Sequence, residues 1–415
     1  MGKALSEAKE TTTMASAAAA TDRSGDDRRA PGVVTFGQPL VDLSMRVTGE
    51  TLRALGITRE QEGGCIGIAP DAMAQLKRDL LAASGGVLPD DEGGFAMCAG
   101  GSAANVAKAL ALLGTRAAFY GQLGRDEEGA YFAAALRKKG VRVLAPERAS
   151  DLPTGNCLCL VSSSASASEE EGAGGGRTER TMRTCHGASA DISSKDWNPR
   201  TLDNGGAGRY THMHAEGYLV AANPELFAHL LETARSDTSP ATTSMDLASF
   251  DLVRAKRDTF KKALVSGGVS VLFCNEEEAK AFAEEEEEEA EISAQEGDDF
   301  YANVGPQVSH CLRVLRRYAE TVVVSLGAQG CVALSREGRE VNLVARAAAP
   351  KIPVLDTTGA GDFFTAGFLH ARLSGRTLQE SCADACIAGA AACLQVGTDI
   401  NSETLHAFIQ QTSSM

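Results

Sequence analysis

The sequence predicts an α/β protein built on a doubly wound, mostly parallel sheet. Short apolar runs typical of buried strands alternate with helical segments from Val33 onward, which is the pattern of a parallel sheet covered on both faces. Two glycine-bearing stretches each open directly onto an apolar helical segment. The hydrophobic fraction of 43% and the charged fraction of 23% are ordinary for a globular protein with a large core.

Charge and cysteine content narrow the class of function. The formal net charge of −15 disfavours nonspecific binding to nucleic acid. No apolar run reaches membrane-spanning length, so we expect no transmembrane segment. The 11 cysteines contain no C-x-x-C pair, which favours buried, reduced thiols over a disulfide framework or a zinc site. The sequence therefore predicts a cytoplasmic protein.

The N-terminal segment, residues 1–32, predicts a disordered tail. It is rich in Ala, Thr, Ser and charges of both signs and shows no hydrophobic periodicity. Its acidic residues argue against a transit peptide. The first six residues, Met1–Ser6, match the short pattern for N-myristoylation at Gly2, which is kept as a hypothesis. A single acyl chain would anchor the protein only weakly.

The first strand is predicted at Val33–Gly37, and Gln38–Asp42 is predicted as the turn that follows it. In open α/β sheets, ligands bind at the carboxyl ends of the strands. Asp42 is therefore a candidate acceptor for the hydroxyl groups of a substrate. The alternative is a turn aspartate that binds its own backbone.

Gly100 and Gly101 precede a predicted helix of small residues that ends at Gly114. The two glycines would allow a ligand to lie against the backbone. Asn105 offers both a donor and an acceptor to a sugar hydroxyl, and its apolar neighbours indicate that it faces something specific. The alternative is an asparagine that faces solvent.

The rest of the chain continues the alternation of strands and helices. Helices are predicted at Pro70–Ala83, Asp126–Lys139, Leu226–Ala234, Val253–Leu264, Val308–Arg317 and Leu378–Val396, and strands at Arg116–Tyr120, Thr154–Ser162, Arg177–Thr184, Thr243–Leu247 and Thr321–Gly327, with others from Tyr210 and Val271. Residues 162–176 consist of Ser, Ala, Glu and Gly, which predicts a flexible hairpin tip. His212 and His214 share a strand face, and with no third ligand apparent we expect packing rather than a metal site.

The most informative stretch is Asp356–Leu369, in which polar residues and glycines lead into an apolar run. Gly359, Ala360 and Gly361 would leave the backbone accessible at the start of a helix, where the free N–H groups favour an anion such as phosphate. Asp362 would lie at the edge of that anion site and could accept a proton from an attacking hydroxyl. The alternative is an aspartate N-cap beside small packing residues.

Together, the two glycine-bearing stretches resemble the PfkB carbohydrate kinase family, which includes ribokinase, fructokinase and adenosine kinase. The N-terminal family motif is matched at Gly100, Gly101, Asn105, Ala107, Gly114 and Gly124, and the C-terminal motif at Asp356, Thr357, Gly359, Ala360, Gly361 and Asp362. The resemblance covers roughly Val33 to the end. It implies a ribokinase-like kinase domain over residues 33–410, with a small β lid formed by residues 43–60 and 152–187.

The resemblance also implies roles for individual residues. Asp362 is the expected catalytic base, and the N–H groups of Gly359, Ala360 and Gly361 are expected to hold the developing charge. The expected substrate-binding residues are Asp42, Gly100, Gly101 and Asn105, and the expected nucleotide-binding residues are Asn275, Ser325, Gly327, Gly330 and Thr358. Glu278 is expected to support Mg²⁺ through water, and Asp356 with Thr358 a monovalent cation such as K⁺. From the lid, Arg180 or Arg183 would clamp phosphate; the alternative is two surface arginines.

The implied reaction is transfer of the ATP γ-phosphoryl group to a CH2OH group. Gln38–Asp42 and Phe273–Ala279 look most like adenosine kinase, so a nucleoside is preferred over a free sugar as acceptor. A fructokinase or ribokinase type of enzyme is the first alternative, and a catalytically silent scaffold with this fold is the second. An oxidoreductase is disfavoured because no G-x-G-x-x-G follows the first strand. A homodimer formed through the lid is an open hypothesis.

Overall fold

The computed structural model describes residues 31–58, 65–83, 95–146, 148–163, 178–203, 209–236, 241–284, 305–337 and 341–412. The predicted tail up to residue 30, the myristoylation pattern and the loop residues 164–176 lie outside these ranges. Within the described ranges, no helix has both the length and the hydropathy required to cross a bilayer.

Strands and helices alternate along most of the chain. The strands are β1 Gly32–Phe36, β2 Leu40–Val47, β3 Cys65–Gly67, β4 Ala96–Gly100, β5 Arg116–Tyr120, β6 Arg142–Leu144, β7 Asn156–Ser163, β8 Thr178–Cys185, β9 His212–Ala215, β10 Thr242–Asp246, β11 Val271–Asn275, β12 Thr321–Ser325, β13 Cys331–Glu337 and β14 Val341–Ala347. The helices are α1 Gly49–Ala54, α2 Pro70–Ala83, α3 Ser102–Leu112, α4 Glu127–Lys138, α5 Gly217–Ala222, α6 Pro224–Arg235, α7 Phe250–Val265, α8 Glu276–Ala283, α9 Pro306–Leu315, α10 Ala360–Leu373, α11 Leu378–Ala392 and α12 Ser402–Thr412.

The main sheet has nine strands among the described residues, in the order β14-β13-β12-β11-β10-β9-β1-β5-β6. The strands from β6 to β12 pair in parallel, and β13 and β14 add an antiparallel edge. The carboxyl ends of β1, β9, β10, β11 and β12 therefore meet at one edge of the sheet, where an open α/β fold binds its ligand. This arrangement confirms the doubly wound, mostly parallel sheet.

Two apolar layers cover the faces of the main sheet. Successive residues of a strand point to opposite faces, so Val33 packs into one core cluster and Val34 into the other. The first cluster includes the buried faces of α3, α10 and α11, and the second includes those of α6, α7, α8 and α9. The helices that carry the two motif stretches, α3 and α10, thus lie on the same side of the sheet.

A second sheet forms the small lid, with strand order β3-β8-β7-β2-β4. Its first long strand begins at Leu40, so the prediction of a turn over Gln38–Asp42 was wrong for its last three residues. Leu40, Val41 and Asp42 pair with Gly100, Ala99 and Cys98 of β4. Because these partners are distant in sequence, the first three residues of the strand carried no local signal.

The structure departs from the sequence analysis at three further places. The segment Ala96–Gly100 before the glycine pair is a lid strand, which was not predicted. The final apolar helix ends at Ala392 rather than Val396, and a further helix follows at Ser402–Thr412. Residues 187–202 contain three short 3₁₀ turns, which carry no hydrophobic periodicity long enough to detect.

Candidate active site

Asp362 lies in the first turn of α10, where its carboxylate meets α3. Ser102 donates a hydrogen bond to Oδ1 at 2.7 Å, and the Asn105 amide donates to Oδ2 at 2.8 Å. Burial raises the pKa of Asp362 to about 6, although these two hydrogen bonds oppose the rise. The carboxylate is therefore oriented by neutral donors and is mostly ionised at neutral pH, as a general base requires.

The N-terminus of α10 has the geometry of an anion site. Gly359 is its N-cap residue, with φ = 77° in the left-handed region, and no side chain caps the helix. A Cβ on Gly359 would lie 2.8 Å from the Thr398 methyl group, whereas one on Gly361 would meet nothing within 4 Å. In the first turn of α10, the Ala360 N–H donates to the Thr357 carbonyl oxygen at 3.1 Å, and no side chain caps the other N–H groups, as an anion site requires.

Asp42 approaches the glycine pair from the lid. A Cβ on Gly100 would lie 2.3 Å from Asp42 Oδ2, so only glycine lets the carboxylate come this close. Gly101 has φ = 93°, and a Cβ there would lie 2.5 Å from the carbonyl oxygen of Gln38. Burial raises the pKa of Asp42 to about 6, while the Lys108 ammonium opposes the rise.

Asn105 lies in α3 beside Asp362 and uses only part of its amide group in hydrogen bonds. Its Nδ2 group is used on Asp362, but its Oδ1 atom is buried and has no hydrogen-bond partner among the described residues. A buried acceptor without a partner is costly in a protein interior. A substrate hydroxyl would satisfy it, which fits the predicted role of Asn105.

A small polar cavity of about 140 Å³ lies beside Asp362. Its lining includes the carboxylates of Asp246 and Glu278 and the hydroxyl groups of Ser102 and Ser325. Burial raises the pKa of Glu278 to about 7, and the nearby Asp246 and Asp362 carboxylates add to the rise. Within the described ranges, no three His, Cys, Asp or Glu side chains could hold a metal ion by themselves. The donor set therefore fits Mg²⁺ that keeps most of its ligands as water and phosphate oxygens.

Asn275 and Glu278 form a capping box at the start of α8. Asn275 Oδ1 accepts from the Glu278 backbone N–H at 2.8 Å, and the Glu278 carboxylate accepts from the Asn275 backbone and amide at 2.9 and 2.7 Å. Both side chains line the small cavity as well. The capping box thus fixes a carboxylate at the carboxyl end of β11, where the sequence predicted a residue that supports Mg²⁺.

A larger, mostly apolar cavity of about 550 Å³ adjoins the first one. It is lined by Ser325, Gly327 and Gly330 after β12 and by Cys386, Gly389, Ala390 and Cys393 at α11. Ser325, Gly361 and Phe364 line both cavities. The two cavities therefore meet at the N-terminus of α10. Of the two adjacent threonines, Thr357 lines the larger cavity, whereas the predicted nucleotide-binding residue Thr358 does not line it.

Asp356 ties together the loops that precede α10 and follow α11. Its Oδ1 atom accepts from the backbone and hydroxyl of Thr358 at 3.1 and 2.8 Å, and its Oδ2 atom accepts from the Gly397 N–H at 2.9 Å. These contacts hold the two loops together at the residues for which a monovalent cation was predicted.

The two lid arginines cannot be assigned to phosphate from their positions. The Arg180 side chain lies outside the described part of the structure. Arg183 is buried and donates to the carbonyl oxygen of Met182 at 2.9 Å. The phosphate clamp therefore stays a prediction.

Three site residues were missed in the sequence. Ser102 orients Asp362 and follows the glycine pair directly. Asp246 is the last residue of β10. Its carboxylate accepts a hydrogen bond from the Gly217 N–H at 3.1 Å and lies 3.4 Å from His214 Nε2. Glu216 directly follows β9 and precedes α5. Its carboxylate accepts from the Ala103 N–H at 2.8 Å and from the Gln38 N–H, and burial raises its pKa to about 8. The strand-end rule that selected Asp42 would have selected Asp246 and Glu216 too.

His214 and His212 contact hydroxyl groups rather than forming a metal site. His212 lies 2.7 Å from the Thr242 hydroxyl and 2.8 Å from the Ser244 hydroxyl, and His214 Nδ1 lies 2.9 Å from Ser244. Burial lowers the pKa of His212 to about 3, so it is neutral at physiological pH. These contacts with hydroxyl groups use both ring nitrogens of His212 and one of His214.

Comparison with known proteins agrees with this geometry. The model of the pfkB family carbohydrate kinases matches residues 65–405. Adenosine kinase of Saccharomyces cerevisiae is 24% identical over 357 residues, covering 84% of this chain and 91% of the relative. Fructokinase of Klebsiella pneumoniae is 27% identical over 296 residues, covering 68% of this chain and 80% of the relative.

Solved structures extend the comparison to the fold. The crystal structure of adenosine kinase from Sinorhizobium meliloti superposes with a TM-score of 0.67 at 26% identity, covering 92% of this chain and 99% of that one. A probable sugar kinase from Rhizobium etli gives the same TM-score at 24% identity, covering 92% of this chain and 99% of that one. With the family match spanning most of its length, the chain belongs to the pfkB family of carbohydrate kinases.

Proposed function

We propose that this kinase transfers the γ-phosphoryl group of ATP to a CH2OH group of a nucleoside, with Asp362 as the base. The observation that carries the proposal is the meeting of the two cavities at the uncapped start of α10, with Asp362 beside that junction. The large apolar cavity suits a nucleotide base and sugar, and the small polar cavity suits the phosphates. The transferring group would then lie against the backbone N–H groups of the first turn of α10 that have no side-chain cap.

The acceptor is proposed to lie between the lid and α3. Asp42 and the free Oδ1 atom of Asn105 would accept hydrogen bonds from its hydroxyl groups. The reacting hydroxyl would give its proton to Asp362 as its oxygen attacks phosphorus, because Asp362 is held by Ser102 and Asn105 and is ionised at neutral pH. The Gly359–Gly361 backbone would stabilise the charge that develops on the phosphoryl oxygens.

Two cations are part of the proposal. Mg²⁺ would neutralise phosphate charge beside Glu278 and Asp246, whose carboxylates line the small cavity. A monovalent cation would be held near Asp356 and Thr358, where the loops before α10 and after α11 are joined. Equal rates in Na⁺ and K⁺ would remove the second cation from the proposal.

A nucleoside is preferred over a free sugar because the yeast relative and the Sinorhizobium meliloti structure are both adenosine kinases, with more of their length matched than that of the fructokinase. A free sugar is the second candidate, favoured by the fructokinase relative. The same site would serve either acceptor, since each carries a CH2OH group and neighbouring hydroxyls.

The test is ADP release from Mg-ATP across a panel of nucleosides and free sugars. Wild type is compared with Asp362→Asn and, as a matched control, with Asp251→Asn, an exposed aspartate in the first turn of α7. We expect turnover on a nucleoside that is lost in Asp362→Asn and kept in Asp251→Asn. Turnover on ribose or fructose, and on no nucleoside, would show that the acceptor is a free sugar. Silence on the whole panel with ATP still bound would favour a scaffold.

We also propose that the lid is the surface through which two copies would pair. Its edge strands β3 and β4 carry the exposed apolar residues Ile66 and Met97. Light scattering of wild type and the double variant Ile66→Ser, Met97→Ser tests this. A dimer in wild type that becomes a monomer in the variant is the expected result, and a monomeric wild type would overturn the proposal.

A further inference from the structure

Lys108 is a buried lysine that the proposed reaction does not use. It lies in α3, one turn after Asn105, and only 3% of it is exposed. A lysine is almost never fully buried unless it is paired, because removing an ammonium from water is costly. Its position in a run of alanine, valine and leucine therefore calls for a role.

The Lys108 ammonium connects two segments of the site. It donates to the Ala99 carbonyl oxygen at 2.6 Å and to the Thr398 hydroxyl at 3.3 Å. Ala99 is the residue before Gly100 and Gly101, which face the acceptor. The methyl group of Thr398 lies against Gly359, close enough that a Cβ there would be 2.8 Å away. One side chain thus connects the glycine pair to the anion site.

The charges around Lys108 come from several elements. Asp42 on β2, Cys98 on β4, Asp362 on α10 and Asp399 after α11 all interact with its charge. Asp399 is itself paired with Lys139, the residue after α4, at 2.6 Å. Lys108 itself lines a cavity of about 330 Å³, together with Tyr131, Lys138 and Lys139. Asp42 faces Cys98 and Cys157 across its two neighbouring strands.

We propose that Lys108 is a positioning residue that fixes the glycine pair against the anion site and keeps Asp42 able to accept the acceptor's hydroxyl hydrogen bond. The inference rests on the proposed function, since it concerns the same acceptor. It adds a role for a residue that would not itself touch the acceptor or ATP.

The electrostatic part of the role has a defined sign. Burial raises the pKa of Asp42 to about 6, and the charge on Lys108 limits that rise. Without Lys108, the pKa of Asp42 would rise further, because an opposite charge nearby shifts a carboxyl pKa by about one unit or more. Asp42 would then be protonated at pH values where the wild-type carboxylate is ionised.

The test compares Lys108→Met with Lys138→Met, which makes the same change at an exposed lysine lining the neighbouring cavity. We expect Lys108→Met to raise the acceptor KM by about tenfold at pH 6.5 and much less at pH 8.5, where Asp42 is ionised in both proteins. The KM for ATP should change less than the acceptor KM. Lys138→Met should match wild type at both pH values.

A second variant keeps the proposal testable if Lys108→Met folds poorly. Thr398→Val removes the hydroxyl that receives the Lys108 hydrogen bond and keeps the methyl group against Gly359. Urea unfolding of the two single variants and the double variant forms a cycle that needs no turnover. Non-additive effects on stability are expected; additive effects would overturn the link between the two segments.

The outcomes separate the two proposals. A wild type that is active while Lys108→Met has the same acceptor KM at both pH values would overturn this inference alone. An equal rise in KM at both pH values would reduce Lys108 to a structural role and also overturn it. A wild type that is silent on every acceptor would overturn the proposed function together with the kinetic part of this inference.

Discussion

At the scale of single residues, the environment of Asp362 gives activity a defined pH dependence. Its pKa is raised to about 6 by burial. The base is therefore lost as pH falls through about 6, and we expect kcat to fall about tenfold per pH unit below that value. Above pH 7, the carboxylate is ionised and kcat should be level. A pH profile of kcat with saturating acceptor checks this. If kcat stays level down to about pH 4 and falls only there, the raised pKa of Asp362 is contradicted.

Replacement of the same carboxylate should separate catalysis from stability. Asp362→Asn is expected to lower kcat by about 10² to 10⁴, the contribution typical of a general base. Because the folded-state pKa of Asp362 is above its unfolded value, the ionised form destabilises the fold at pH 7, and the neutral amide should leave Tm unchanged or higher. A variant with low activity and a clearly lower Tm would indicate a structural role instead.

Gly100 tests how closely the lid aspartate must approach the backbone. Gly100→Ala would place a Cβ 2.3 Å from Asp42 Oδ2 and push the carboxylate away, so we expect a higher acceptor KM and a nearly normal KM for ATP. Gly67→Ala is the matched control in the same lid, because a Cβ there would meet only the Thr184 carbonyl at 4.0 Å. Equal kinetics of the two variants would argue against Asp42 as an acceptor-binding residue.

At the scale of elements, the two ends of α10 offer a matched pair of glycines. Gly359 at its start and Gly375 just past its end both have positive φ, 77° and 79°. Alanine at either costs about 1–2 kcal/mol of stability from the left-handed backbone. In Gly359→Ala the new Cβ would also lie 2.8 Å from the Thr398 methyl group and would disturb the anion site. A Cβ on Gly375 would meet nothing within 4 Å.

We therefore expect both variants to lower Tm, but only Gly359→Ala to lower kcat, and by well over tenfold. Thermal unfolding and steady-state kinetics on the two proteins check this. Comparable loss of activity in Gly375→Ala would show that backbone strain anywhere in α10, rather than the anion site, limits the reaction.

The elements of the site differ in how well the sequence predicts them. The start of α10 could be predicted because the glycine, alanine and aspartate of the loop are adjacent in sequence and their chemistry is local. The lid strand at Leu40–Val47 could be predicted only in part. Residues from Leu43 onward were assigned to the lid, but Leu40–Asp42 was predicted as a turn, because its pairing partners lie about 60 and 115 residues away in sequence and it follows a proline. Asn275 and Glu278 were found as a motif, but their capping box appears only in the structure.

At the scale of the whole molecule, the fold brings together side chains whose spacing in sequence carries no signal. Ser102 lies within 2.7 Å of Asp362 and 3.5 Å of Asp246, although these three residues come from α3, α10 and β10. The parallel order of β1, β9, β10 and β11 places their ends together. Sequence patterns indicate that order only as a class of fold. The strand-end rule could have selected Asp246 and Glu216 as candidates, but their contacts, and the role of Lys108, required the tertiary structure.

The same convergence predicts how the entire fold responds to ligand. Glu278 has a pKa of about 7 and Asp362 a pKa of about 6, and both lie beside the small cavity with Asp246. At pH 8 Glu278 and Asp362 are ionised and repel each other, and Mg²⁺ would relieve the repulsion. At pH 6 most Glu278 and about half of Asp362 carry protons, with which Mg²⁺ must compete.

We expect Mg²⁺ with a non-hydrolysable ATP analogue to raise Tm more at pH 8 than at pH 6, since a ligand that binds only the folded state stabilises it in proportion to the logarithm of its affinity. The analogue with EDTA at each pH corrects for protonation of the nucleotide itself. Glu278→Gln, which keeps the size of the side chain, should reduce the difference between the two pH values. An increment in Tm that is equal at both pH values, or larger at pH 6, would mean that these carboxylates do not support the metal.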